Sequence, residues 1–443
     1  MGLLTFKGGV HPDDGKALSK DQPIKVAEAG DKLYFSISQH IGAPAKPVVE
    51  KGDHVLRGQV IAEAGGFVSA PVFSSVSGTV AGIEKMRMPA GNLMDCIVVE
   101  NDHANEEVAY SPASDWRGLS KEEVLAKIKD AGVVGMGGAG FPTHVKLSPK
   151  DPSTIDYIQI NGAECEPYLT SDYRMMLEHP EKVVEGLQIM LSLFPKAKGQ
   201  ICVEANKMDC VEKLQKASAG DSNIEVRVMK TKYPQGAERM LIFANTGRAI
   251  NSKMLPADAG CIVDNIATVA AIYDAVVLGK PLMERIVTVT GDAANHPGNY
   301  LAPTGMLFSE LIELSGGLKD DFDKLIAGGP MMGFSVFSTT IPITKTSGGI
   351  LAMMRDDVSA SEPSACINCG RCVEACPEHL IPTRLAQFAD NSKMEAFRAN
   401  DGMECCECGS CSYVCPAKRQ LAQSIKSMRK MCLAAAAAAR NKK

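Results

Sequence analysis

Eight cysteines toward the carboxyl end of the sequence offer the clearest chemistry in the chain. They form two runs of one spacing, Cys-x2-Cys-x2-Cys-x3-Cys-Pro. The first run is Cys366, Cys369, Cys372 and Cys376, and the second is Cys405, Cys408, Cys411 and Cys415. This spacing is typical of thiolate ligands to two [4Fe–4S] clusters, which transfer one electron at a time.

In paired runs of this kind the fourth cysteine of each run binds the cluster held by the other run. We therefore expect one cluster on Cys366, Cys369, Cys372 and Cys415, and the other on Cys405, Cys408, Cys411 and Cys376. Two zinc sites or a disulfide framework are the alternatives. Zinc sites built from Cys-x2-Cys pairs leave the third cysteine and the Cys-Pro element of each run unexplained.

A glycine-rich stretch at residues 135–142 is the second place where chemistry is expected. Gly135, Gly137 and Gly140 follow the G-x-G-x-x-G spacing, but a helix and only two valines precede them where a dinucleotide site needs a full strand. The backbone N–H groups of such a turn can still cradle a phosphate, with Lys146 reaching the same anion. Taken alone, the pattern fits a flexible turn equally well.

Polar residues follow a predicted buried strand at 157–160. Asn161 and Glu164 come at its end, and predicted strands near 201–203 and 224–228 alternate with helices at about 179–193 and 207–217. This alternation predicts an α/β domain, whose ligands bind at the carboxyl ends of the strands.

The 443 residues of the chain predict three or four domains. Iron–sulfur clusters imply a reducing compartment, so the cysteines outside the two runs are expected to be reduced thiols. The sequence shows no secretory signal and no stretch of the roughly 20 apolar residues that a spanning helix requires. Any association with a membrane is therefore expected to be peripheral.

The segments at 50–61 and 69–80 resemble the biotinyl/lipoyl domain family. In that family a lysine in the hairpin between the two segments carries the cofactor. Residues 63–67 occupy the hairpin here and include no lysine. The resemblance therefore implies a structural or docking module rather than a carrier.

Three other segments resemble the flavin-binding segments of the NADH-oxidising subunit of respiratory complex I. They are Gly135–Thr143, Asn161–Pro167 and Val263–Thr268. Met136 and Ala163 depart from that pattern, since Arg and Asp are usual there. With the lipoyl-like front and the cysteine runs, nearly the whole chain is similar to the RnfC family, the C subunits of Rnf electron-transport complexes.

The resemblance implies a role for each matching residue. Gly135, Gly137, Gly138, Gly140 and Lys146 are expected to hold the FMN phosphate. Asn161, Glu164, Asn265 and Thr268 are expected to line the flavin and the NAD(H) cleft, with Glu164 and Glu238 as catalytic residues. For Glu238, an acid placed in the first turn of a helix is an equally good explanation.

The resemblance also implies a ferredoxin:NAD+ oxidoreductase subunit on the cytoplasmic side of the membrane, coupled by its partners to Na+ or H+ translocation. Expected partners are the other subunits, membrane-embedded ones and an iron–sulfur subunit among them, and ferredoxin through the complex. Nucleic acid is not expected. Two alternatives stay open: a soluble reductase feeding a cobalamin or amino-acid reductase, and an electron adaptor without flavin.

The last segment of the chain is basic and contains no Asp or Glu. Leu421, Ile425, Met428 and Cys432 recur at helical spacing and predict one apolar face. That face either packs on the cluster domain or helps the helix to bind anionic lipid or an acidic partner.

The expected fold is multidomain, α/β plus β. The expected units are an irregular segment (1–30), a lipoyl-like barrel-sandwich (31–100), an FMN/NAD(H)-binding α/β domain (115–280), a β-grasp module (281–340), an α-helical two-cluster ferredoxin-like domain (360–420) and a basic C-terminal helix (421–443).

Overall fold

The computed structural model describes residues 3–113 and 115–441 as a set of mixed sheets and helices. The strands are β1 (Ile24–Val26), β2 (Lys32–Ser36), β3 (Lys46–Pro47), β4 (His54–Val55), β5 (Val60–Glu63), β6 (Val72–Phe73), β7 (Gly78–Arg87), β8 (Leu93–Asn101), β9 (Tyr157–Gly162), β10 (Lys198–Glu204), β11 (Ile224–Met229), β12 (Cys261–Asn265), β13 (Glu284–Thr290), β14 (Gly298–Pro303), β15 (Lys324–Ala327), β16 (Phe334–Val336) and β17 (Gly349–Met353).

The α-helices are α1 (Lys121–Asp130), α2 (Thr143–Lys146), α3 (Ser171–Glu178), α4 (Pro180–Leu193), α5 (Met208–Ala217), α6 (Glu238–Thr246), α7 (Ile266–Tyr273), α8 (Phe308–Leu314), α9 (Arg371–Glu374), α10 (Pro382–Asp390), α11 (Met394–Ala399), α12 (Ser410–Tyr413) and α13 (Leu421–Asn441).

Two small sheets near the amino terminus share one core. One has the strand order β2-β8-β7-β4 and the other β3-β5-β6. Alternate residues of these strands, such as Leu33, Phe35, Ile61 and Val99, are fully buried between them. Period-two burial of this kind is what makes short strands stable as a sandwich.

The first 30 residues are more ordered than their sequence predicts. β1 pairs in parallel with β14, through Ile24 opposite Asn299 and Val26 opposite Leu301. This strand has three residues, and its partner lies far away in the chain, so no local pattern indicates it. The expectation of an irregular segment there is wrong at β1.

A four-stranded parallel sheet in the order β11-β10-β9-β12 forms the centre of the α/β part. The helices α4, α5 and α7 supply apolar side chains to its main core, among them Leu187, Val211 and Val269. A parallel sheet needs such cover because its strands are apolar on both faces. All four carboxyl ends lie at one edge, where ligands of α/β proteins bind.

A six-stranded sheet has the order β1-β14-β13-β17-β15-β16, and all its strands except β1 follow the α/β part in the chain. It has mixed pairing, since β13 is antiparallel to β14 and parallel to β17. Helix α8 packs on it through Phe308 and Leu311.

The carboxyl-terminal part is helical and carries both cysteine runs. Leu421, Ile425, Met428 and Cys432 of α13 are buried against this part, in one core with Leu385 and Phe397 of α10 and α11. The predicted apolar face is therefore confirmed, and it packs on the protein. In the described part of the chain, no helix has the length and apolar character needed to cross a membrane.

Candidate functional site

The first candidate site lies at the carboxyl edge of the parallel sheet. Asn161 at the end of β9 is in register with Asn265 at the end of β12. The Asn161 side-chain amide donates to the Gly236 carbonyl at 2.8 Å. Asn265 caps α7, because its side-chain oxygen accepts from the Ala267 N–H at 2.9 Å. Two residues that the sequence places far apart thus meet at one sheet edge.

The glycine turn is fastened at its start beside this edge. The Gly135 N–H donates to the Phe141 carbonyl at 2.8 Å, which closes the turn. The Met136 N–H donates to the buried Thr268 hydroxyl at 2.9 Å. Thr268 therefore acts as an anchor for the turn, in the first helical turns of α7.

The middle of the turn presents unused backbone donors. None of the N–H groups of residues 137–140 makes a hydrogen bond of standard geometry to a residue that the structure describes. A Cβ added to Gly137 would lie 2.8 Å from the Asn265 Cβ, whereas one added to Gly138 would meet nothing within 4 Å. Gly140 has a φ of +73°, which favours glycine. Such a turn fits an oxyanion like the phosphate of FMN.

Lys146 and Glu238 lie on neighbouring elements at the same edge. The Lys146 ammonium donates to the Val263 carbonyl at 2.7 Å and to Asp264 at 3.0 Å, which leaves one N–H for a ligand. Burial lowers the pKa of Lys146, but the carboxylates of Asp264 and Glu238 outweigh it and raise that pKa. Glu238 itself is exposed, at the start of α6.

Glu164 occupies a buried position with a structural task. Its carboxylate accepts from the N–H groups of Asp172 at 2.7 Å and Tyr173 at 3.2 Å, at the start of α3. The Lys16 ammonium lies 3.7 Å away. Burial raises the pKa of Glu164 to about 7, and Lys16 opposes the rise. The catalytic role expected for Glu164 stays a prediction, and the contacts here are those of a helix cap.

Two charged residues that sequence reasoning missed lie behind the turn. Arg285 of β13 is buried and donates to the Met136 carbonyl at 3.3 Å. Burial lowers the pKa of Arg285, and the carboxylate of Asp172 opposes that change. The Arg285 Nε and the Asp172 Oδ1 both lack a partner within the described residues. Arg285 comes from another sheet, so no local sequence signal connects it to the turn.

The second candidate site is a pair of cavities lined by the cysteine runs. Cys366, Cys369, Cys372 and Cys415 line one cavity, and Cys376, Cys405, Cys406, Cys408 and Cys411 line the other. Each lining includes one of the two crossed sets that the spacing predicts, and the second also includes Cys406. In the described residues, no group of three or more His, Cys, Asp or Glu side chains is arranged to hold a metal ion. Four thiolates around a cavity are the ligands that a cubane cluster takes, so the residues fit such a cluster.

Residues around the second cavity contact both the α/β part and the amino-terminal segment. The Tyr233 hydroxyl donates to the Cys408 carbonyl at 2.7 Å. The Gly9 N–H donates to the Ala375 carbonyl at 2.8 Å, beside Cys376. Arg239 of α6 lies 3.2 Å from Glu378 and 3.1 Å from Glu404. These contacts hold the second cavity close to the sheet edge.

Comparison with protein families gives four matches along the chain. They are an RnfC barrel sandwich hybrid domain at residues 4–104, a Nuo51 FMN-binding domain at 128–274, an SLBB domain at 286–335 and a 4Fe-4S dicluster domain at 365–418. The parallel sheet and glycine turn lie in the second match, and both cysteine runs lie in the fourth.

Curated relatives match over most of the chain. The C subunit of the proton-translocating ferredoxin:NAD(+) oxidoreductase complex of Clostridium ljungdahlii is 47% identical, over 87% of this chain and 84% of its own length. The C subunit of the Na(+)-translocating complex of Acetobacterium woodii is 42% identical, over 97% of both chains. The C subunit of an ion-translocating oxidoreductase complex of Haemophilus influenzae is 36% identical, over 90% of this chain and 62% of its own.

Among solved structures, an NAD+-reducing [NiFe]-hydrogenase in its air-oxidized state resembles the chain with a TM-score of 0.50 and 19% identity. The likeness covers 65% of this chain and 57% of the hydrogenase chain. At this identity it concerns the fold alone.

Proposed function

Because the chain belongs to the RnfC family, the C subunits of ion-translocating ferredoxin:NAD(+) oxidoreductase complexes, we propose that it is the NAD(H)-reacting subunit of such a complex. It passes electrons between NAD(H), FMN and two [4Fe–4S] clusters, and its partner subunits couple this transfer to Na+ or H+ translocation. The names of its relatives include both ions, so similarity alone does not assign one.

One observation carries the proposal: a short segment joins the two candidate sites. Tyr233 contacts the second cysteine run through the Cys408 carbonyl, and Gly236 accepts a hydrogen bond from Asn161 at the sheet edge. Glu238 follows at the start of α6. A flavin at the glycine turn and a cluster in the second cavity are therefore neighbours along residues 233–238.

The residues of the turn have distinct tasks in this proposal. Gly137, Gly138 and Gly140 present backbone N–H groups and space to the phosphate, and Lys146 offers its remaining N–H. Gly135 contributes by closing the turn, because its own N–H is bonded to the Phe141 carbonyl. The side chains of Asn161, Asn265 and Thr268 hold the sheet edge and the glycine turn in place relative to each other. Glu238 lies at the solvent-exposed side of this site. When bound, a flavin exchanges a hydride with nicotinamide and transfers electrons singly, as the clusters require.

The same proposal includes the finer assignments. The amino-terminal sandwich is lipoyl-like, and the SLBB match is a β-grasp module. Each cluster takes its fourth ligand from the other run, Cys415 for the first and Cys376 for the second. The protein is bound peripherally at the cytoplasmic side of the membrane, where it contacts membrane-embedded subunits and an iron–sulfur subunit and receives electrons that originate in ferredoxin.

Purified protein with reconstituted clusters tests the proposal. We expect one FMN per chain, iron for two clusters, and reduction of a small dye by NADH. Iron without flavin and without NADH-dependent dye reduction would identify the chain as an electron adaptor. Electron transfer from NADH to a soluble acceptor reductase, undiminished in cells that lack the other subunits, would favour the soluble alternative.

A further inference from the structure

The two cysteine runs lie in different surroundings although their spacing is the same. Gly370 and Gly409 hold equivalent places, with φ of +79° and +81°. A Cβ added to Gly370 would meet nothing within 4 Å, whereas one added to Gly409 would lie 3.1 Å from the Met331 carbonyl oxygen. Cys366 and Cys369 are exposed, whereas Cys408 and Cys411 are buried. The beginning of the first run therefore faces solvent, whereas the middle of the second run faces the protein.

The segments that form the first-run cavity are basic, and Glu374, exposed within that run, is the acidic residue nearest to them in the chain. The segments that line or border this cavity are residues 366–372, 383–384 and 415–419, and they contain no Asp or Glu. Their basic residues are Arg371, Arg384, Lys418 and Arg419. Of these, Arg419 pairs with Asp390 at 3.4 Å. The other three are exposed and form no ion pair with any residue that the structure describes.

An apolar side chain lies among these charges. Ile367, between two of the cysteines, is 65% exposed. We call the surface formed by Ile367, Arg371, Arg384 and Lys418 the first-run surface. An apolar centre with a polar, charged rim is the usual composition of a protein–protein interface.

We propose that the first-run surface is the docking site for an acidic protein or domain that carries one electron at a time. This inference rests on the proposed function and adds the exit point and the charge of the partner. One electron passes between the partner's redox centre and the cluster held by Cys366, Cys369, Cys372 and Cys415, so one centre is oxidised as the other is reduced. The buried second cluster connects that exchange to the flavin.

The physical reason is the rate and specificity of a transient contact. Electron-transfer partners bury small areas and separate quickly, so charge complementarity provides most of their association rate. Here the charge that attracts an acidic carrier comes from basic residues that form no ion pair within the described part of the chain. The exposed position of the first run also shortens the distance from cluster to surface.

Two double variants of equal charge test the docking site. Arg371→Glu with Lys418→Glu reverses two charges on the first-run surface. Lys213→Glu with Lys216→Glu reverses two exposed charges on α5 and serves as the control. Each protein is used with flavin and both clusters loaded, as checked by iron content and absorption spectra. The probe is a small acidic two-cluster ferredoxin, and its Kd is measured by calorimetry at low salt.

We expect the first-run variant to weaken ferredoxin binding about tenfold, because reversed charges replace attraction with repulsion. A basic cytochrome should bind this variant more tightly than it binds the wild type. The control variant should behave like the wild type with both probes. In the wild type, carbodiimide, which joins a partner carboxylate to a nearby amine, should link the ferredoxin to Lys418.

Three results would overturn the inference: equal weakening in both variants, no weakening in either, or cross-links at lysines remote from the first run. NADH-dependent dye reduction in the same samples separates this failure from failure of the proposed function. If that activity is present and docking does not respond to the first-run charges, the function stands and the docking site is wrong. If the wild type has no flavin, the proposed function itself fails.

Discussion

Gly138 gives the sharpest test at the scale of single residues. A Cβ added there meets no protein atom within 4 Å, so we expect Gly138→Val to leave the fold intact and to block only the ligand's approach. We expect FMN content and NADH oxidation to fall at least about tenfold, while iron content stays the same. Flavin fluorescence after denaturation and an iron assay measure both.

Gly118→Val is the matched control for that variant. Gly118 is exposed, and an added Cβ comes only as near as 4.0 Å to the Asp115 carboxylate. The control should retain FMN. Wild-type flavin content in Gly138→Val would remove the glycine turn from the binding site.

Arg285 permits a second test at this scale. Its hydrogen bond to the Met136 carbonyl polarises the peptide unit that ends in the Gly137 N–H, one of the donors proposed for the phosphate. Arg285→Met should therefore weaken FMN binding by about tenfold, as expected when a hydrogen bond to a charged group is lost. Riboflavin, which lacks the phosphate, should bind the variant and the wild type almost equally. Equal weakening of both flavins would make Arg285 a purely structural residue.

At the scale of elements, the sequence predicts what depends on short spacings. The cysteine spacing predicts two crossed sets, and each set lines one cavity in the structure. The alternation of strands and helices predicts the parallel sheet, and its edge brings Asn161 beside Asn265. These features were accessible because each depends on residues close together or on a general rule of α/β sheets.

The features that sequence reasoning missed all depend on contacts between distant segments. The strand β1 forms because β14 offers an edge. Lys16 pairs with Glu164, and Arg285 reaches the glycine turn from the six-stranded sheet. No periodicity or motif marks such residues, since a buried charge is placed by the fold that surrounds it.

The two crossed sets of cysteines lead to a prediction about cluster ligation. Cys376→Ala should damage the cluster bound by Cys405, Cys408 and Cys411, because Cys376 lines that cavity. Cys372→Ala should damage the other cluster, since Cys372 lines the first cavity. Electron paramagnetic resonance during a redox titration should show a different signal lost in each variant. If both variants disturb one signal and spare the other, ligation is local to the first run.

At the scale of the whole molecule, Lys345 joins three parts of the chain. It lies just before β17, and its amine donates to the Pro71 carbonyl at 2.7 Å and the Gly132 carbonyl at 2.8 Å. Pro71 belongs to the amino-terminal sandwich, and Gly132 follows α1. A neutral amine has two N–H groups, so these two acceptors satisfy it, whereas an ammonium would have a third. Burial lowers the pKa of Lys345 to about 7.

The shift predicts how stability depends on pH. Between about pH 7 and 10 the unfolded chain holds a proton on Lys345 that the folded chain does not hold, so this residue makes the folded state more stable as pH rises. The contribution is on the order of 1 kcal/mol per pH unit in that range. Lys345→Met should lose this pH dependence. The melting temperature of the wild type minus that of the variant should therefore increase from pH 7 to pH 9. A constant difference would contradict the assignment.

The manner of membrane attachment is the last prediction at this scale. The described chain contains no helix able to span a bilayer, and the apolar face of α13 is buried against the cluster part. The proposed peripheral attachment, if it is made by polar and ionic contacts with the membrane-embedded partners, is weakened by salt, which screens such contacts. In membranes from cells that contain the whole complex, high salt or carbonate should release this protein without detergent. A membrane-embedded subunit of the same complex, followed in the same fractions, should stay in the pellet. If this protein too requires detergent, an apolar anchor or an apolar interface holds it, and peripheral attachment by charge is wrong.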